Sequence, residues 1–169
     1  MFSNWRISSF NGALLAAYFI PVWTLIAFNI MVSPIHGLYE RPSVSIALFA
    51  SDHWQLAKMT TVRLAWLLAL ARMTVVAFFA IFLAMLVRPS FRKSGACNEA
   101  LGIALGLGSV LCFVSMLMAS KVGEVEALRM HAAELLMLLG TTIVMALERP
   151  AQPRVAVSVP AGQLSLQQS

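Results

Sequence analysis

RLAWLLALARMTVVAFFAIFLAMLVR, Arg63 to Arg88, holds 24 residues between its terminal arginines, and Arg72 is the one charged residue among them. The rest are apolar or small. A helix needs roughly 20 such residues to cross ~30 Å of hydrocarbon. The stretch therefore reads as a membrane span with a charge inside it. That charge is the least ordinary feature of the chain.

Outward from this stretch the composition agrees. Of 169 residues, 60% are hydrophobic and 11% are charged, and the mean hydropathy is +0.82. A water-soluble domain carries about 25% charged residues; one this apolar would expose surface it cannot cover. The length has room for about four crossings at roughly 20 residues each. The net charge of +5 flanks the hydrophobic runs, so it points to lipid headgroups and topology, not to nucleic acid. Cys97 and Cys112 fall on one span, 15 residues apart, ~22 Å along a helix, so they cannot bond to each other. The first apolar run lacks a small-residue cleavage site and reads as a retained span, not a signal peptide.

The expected fold is an all-α membrane protein, a four-transmembrane-helix bundle with a short interfacial helix in the first connection. Residues 1–150 are expected to form a single domain, with spans of about 11–32, 64–87, 97–119 and 127–147. Residues 151–169, rich in Pro, Ser, Gln and Val, read as a disordered cytoplasmic tail. Pro21 is expected to bend the first span. Trp23, near mid-depth, reads as packing. In the connection 33–62 the apolar run Val44–Ala50 is too short to span and suits a helix lying in the interface. Asp52 is placed to N-cap a helix leading into the second span, which could begin as early as His53. Pro89 stops that span, and Gly123 marks a tight turn before the fourth, with Glu124 and Glu126 at its positive end.

With both termini on one side, that side holds Arg6, Arg88, Arg92, Lys93, Arg149 and Arg154, and the other holds Arg41, Lys58, Arg63, Lys121 and Arg129. The dense basic turn after the second span places both termini in the cytoplasm of a plasma (inner) membrane protein.

Arg72 lies eight residues after Leu64, and Glu134 seven after Ala127. At ~1.5 Å per residue these are similar depths on different helices. Each charge alone in lipid would cost about 2.5–3.5 kcal/mol by insertion scales, so the two are a candidate ion pair. His131, at i−3 from Glu134, shares its face. Asn29 and Ser115 reach a similar depth on the remaining spans, so a polar cluster of Arg72, Glu134, His131, Asn29 and Ser115 is expected to open outward. The alternatives stay open: Arg72 could snorkel to headgroups or pair with another subunit. Gly102 and Gly106, with Ala104 and Gly108 as an offset pair, let helix backbones approach closely.

No metal or cofactor is expected. His36 and Glu40, with Asp52 and His53, are weak candidates, since no third ligand stands at a diagnostic spacing. His131 is the one histidine inside an expected span, which argues against a bis-His haem. No nucleophile–base pair or cofactor motif occurs, and no motif specifies a family. The leading expectation is a non-catalytic accessory or assembly subunit of a larger membrane complex, in contact with lipids and with other membrane subunits or copies of itself. The alternatives are a small transporter or channel-like protein with a polar site around Arg72, His131 and Glu134, and a membrane anchor handling quinone or haem.

Overall fold

A computed structural model describes residues 7–32, 45–55, 57–88 and 96–148. These form α1 (Ile7–Val32), α2 (Ser45–Trp54), α3 (Lys58–Val87), α4 (Ala96–Val122) and α5 (Val125–Leu147), with no strand among the described residues. The helices α1, α3, α4 and α5 are each long and apolar enough to cross a membrane. The chain is accordingly a multi-pass membrane protein by length and composition. Residues 1–6, 33–44, 56, 89–95 and 149–169, which include most of the basic turn and the expected tail, lie outside the described residues.

Each long helix begins before its expected start, and α4 also runs on to Val122. The helix in the first connection is present, and it runs on through Asp52 and His53. The break follows at Gln55, whose φ is +46°. Asp52 therefore sits inside α2, and the N-cap of α3 is Ala57, which makes no side-chain cap. An early start of α3 at His53 is excluded by the same break. α1 continues helically through Pro21.

Neighbouring helices pack in the order α1, α3, α4, α5 and back to α1, with α2 laid against α4 and α3. Gly12 near the start of α1 faces Leu101 near the start of α4 and Phe82 near the end of α3. Ser8 meets Glu148, just past the end of α5. The four long helices therefore alternate up and down, with both ends of the bundle on one side. Short connections favour this antiparallel order. Between α4 and α5 the reversal is made by Gly123 at φ +80°. The Glu124 N–H returns to the Ala119 carbonyl at 3.0 Å, a helix ending that needs a left-handed residue at the position Gly123 occupies.

Between the first turn of α1 and Trp23 the interior is largely apolar. Phe19 stacks on Phe79 with centroids 5.7 Å apart, and Phe82, Leu101 and Leu105 are fully buried around them. On the far side of Phe19 the core changes from apolar to charged.

Candidate functional site

Trp23 begins the change. Its ring packs edge-on to Phe19 at 4.9 Å between centroids, and its indole Nε1 donates to Glu134 Oε1 on α5 at 2.9 Å. The other carboxylate oxygen, Oε2, lies 3.0 Å from His131 Nδ1 and accepts a longer contact, 3.6 Å, from the Cys112 thiol on α4. Arg72 on α3 sits with its guanidinium carbon 6.0 Å from the centroid of the Trp23 ring. That is at the outer limit of a cation–π contact. Trp23, Arg72, His131 and Glu134 are each 2% exposed and Cys112 is 1% exposed. One side chain or more from every long helix thus meets in one buried cluster.

The expected companions Arg72, Glu134, His131 and Ser115 are all buried in the bundle. Asn29 is not with them; it lies on the exposed face of α1. The interior row of that helix is Trp23, Ala27 and Ile30, at the i, i+4, i+7 spacing of one face. Asn29, six residues beyond Trp23, falls off that row, and Trp23 supplies the polar group of α1 instead.

Arg72 and Glu134 are both buried in this cluster. The carboxylate takes its described hydrogen bonds from Trp23, His131 and Cys112, and Arg72 is not among these donors. Nor does Arg72 snorkel: it is buried, and its Nη1 has no hydrogen-bond partner. An unsatisfied buried donor on a charged group costs about 1–3 kcal/mol or more.

Cys112 escaped the sequence reading, although a signal for it existed. Gly123 is the hinge of the α4–α5 hairpin, and Cys112 stands 11 residues before it while Glu134 stands 11 after it. Gly108 and Leu138, one turn away on the same row, touch in the same register.

Of the weak metal candidates, His36 and Glu40 lie outside the described residues, as does the side chain of Asp52. His53 is exposed and stacks on Phe49 at 5.5 Å between centroids. Of the expected packing glycines, Gly108 is buried against Leu138, and Gly102 is half-buried against Met145. Gly106 is exposed, and a Cβ built on it would meet nothing within 4 Å. An apolar groove of about 380 Å³ runs between α3 and α4 along Ala71, Thr74, Leu107, Leu111 and Val114, and none of the cluster residues lines it.

No family model matches the chain, and neither a curated protein nor a solved structure is similar enough to extend this geometry by comparison.

Proposed function

We propose that the chain is a small transporter-like protein of a plasma (inner) membrane, with both termini cytoplasmic, that handles a cation or proton at Glu134. The observation that carries this reading is the burial of Arg72, His131 and Glu134 inside the bundle, with one guanidinium nitrogen unpartnered. A helix kept for packing alone has no need of such groups. Burying ions costs several kcal/mol each and is recovered only in part by pairing. Intramembrane ionisable residues are rare, and many lie on ion or proton paths. On this reading α2 lies in the interface at the mouth nearer the cluster.

A reconstituted, full-length chain in liposomes tests it. Glu134→Gln, matched for helicity and monodispersity, should abolish an ion or proton flux that the unaltered chain carries. A chain that carries no flux in any tested cation gradient would remove the reading.

The accessory-subunit reading keeps one specific support. Gly106 on α4 and Gly140 on α5 are both exposed, and a Cβ on either would touch nothing within 4 Å. They stand 17 residues on either side of Gly123, and small exposed residues of this kind allow another helix to approach closely. Co-purification of a larger membrane subunit, lost in Gly106→Leu, is the result expected on that reading.

A further inference from the structure

Glu134 Oε2 is approached from two sides by metal-binding atom types. His131 Nδ1 lies 3.0 Å from it, and Cys112 Sγ lies 3.6 Å from it. The thiol sulfur, a ring nitrogen and a carboxylate oxygen all fall within 4.8 Å of one another, and all three residues are buried. From these ligand positions we propose that Cys112, His131 and Glu134 form an intramembrane binding site for a divalent, zinc-type cation. The proposal rests on the cation-handling reading above and names the cation.

Two of the three separations are close to what the chemistry needs, and the third, between Cys112 and His131, is within 4.8 Å. A tetrahedral zinc with bonds of about 2.0–2.3 Å holds its ligand atoms roughly 3.2–3.7 Å apart. The Cys112–Glu134 contact is already in that range, and the His131–Glu134 contact needs to open by a few tenths of an ångström. Trp23 holds the other carboxylate oxygen, Oε1, through its indole N–H. That leaves Oε2 directed at the sulfur and the imidazole. Outer partners of this kind orient a ligand and are part of a metal site. Sulfur, nitrogen and oxygen in one set favour a borderline-soft ion over calcium or magnesium, which take oxygen alone.

Charge and protons balance. The cation displaces the thiol proton from Cys112, which passes to water, and the proton held between Nδ1 and Oε2 leaves that position for the second ring nitrogen or for water. Thiolate and carboxylate then neutralise the divalent ion. The Arg72 charge remains over. Three protein ligands leave a fourth position open. A hydroxide or chloride there would cancel the remaining charge. The same buried cluster holds an Arg72 Nη1 that has no hydrogen-bond partner.

The test uses full-length protein with Cys97→Ser, in mild detergent. Cobalt is titrated as the spectroscopic probe, and zinc-loaded protein is examined by X-ray absorption. Close to one metal per chain, a thiolate-to-cobalt charge-transfer band and one sulfur among nitrogen and oxygen scatterers are expected, because metal binding draws on these deprotonated ligands. Adding Cys112→Ser should remove the band while circular dichroism stays unchanged. Absence of binding, or a shell of nitrogen and oxygen alone, would overturn the proposal. So would a band that persists in folded Cys112→Ser protein. The X-ray measurement stands even where the Cys112→Ser chain fails to fold. A flux that depends on Glu134 in protein that binds no zinc would leave the broader reading standing with a proton as the ion. Loss of both removes both.

Discussion

The Trp23 indole N–H and the Glu134 carboxylate are joined at 2.9 Å across the bundle, from α1 to α5. The bond ties the first span to the last at the level where the interior turns from aromatic to ionic. Removing the donor while keeping a ring isolates its contribution. Trp23→Phe should lower the stability of the detergent-solubilised protein by about 1–3 kcal/mol, the cost of an orphaned buried acceptor. Thermal unfolding followed by intrinsic fluorescence of the remaining tryptophans measures it. An unchanged midpoint would mean that the carboxylate finds another donor at once.

Arg72 and Glu134 should behave as a coupled pair without being an interchangeable one. Losing one member of a buried pair costs about 3–5 kcal/mol, so Arg72→Met and Glu134→Gln should each reduce the yield of monodisperse protein. The two together should cost less than their sum. The charge exchange, Arg72→Glu with Glu134→Arg, should not restore the yield. At position 134 the new guanidinium would face the Trp23 and His131 donors that now serve a carboxylate. Full recovery would show that through-space charge alone governs the cluster.

The start of α1 is held by a residue from the other end of the chain. Ser8 N donates to both carboxylate oxygens of Glu148, at 3.2 and 3.1 Å. A carboxylate at a helix N-terminus satisfies an orphan amide and meets the positive end of the dipole. Glu148→Ala should cost about 0.5–2 kcal/mol, the range for losing an N-terminal cap. Hydrogen exchange should quicken at the amides of Ile7 to Phe10 and stay unchanged near Gly123.

Glycine substitutions should separate the inner faces from the outer ones. A Cβ at Gly12 would come within 2.8 Å of Leu101 Cδ2 and 3.0 Å of Phe82 Cζ, both in fully buried side chains. Gly12→Val should therefore cost about 1–3 kcal/mol through overpacking. Gly140→Ala meets nothing within 4 Å and should stabilise the isolated bundle by up to ~1 kcal/mol, the helix-propensity difference. Thermal midpoints of the two variants in one detergent should move in opposite directions.

Spans, their number and their turns are local properties, and the sequence carries them in plain form. Runs such as Leu64–Val87 are long and apolar enough to cross a membrane, and Gly123 marks a reversal that needs a left-handed residue. The shared face of His131 and Glu134 follows from a three-residue step on one helix. Which groups from different helices meet is another matter. That depends on how each helix is rotated about its axis, and rotation is set by packing of whole faces, not by depth. Depth alone would have put Asn29 beside Glu134. The rotation that buries Trp23, Ala27 and Ile30 turns Asn29 outward and brings Trp23 in, and the register across Gly123 adds Cys112. An apolar chain thus declares its solvent through composition, while the partners of its buried charge exist only once four helices have chosen their inward faces.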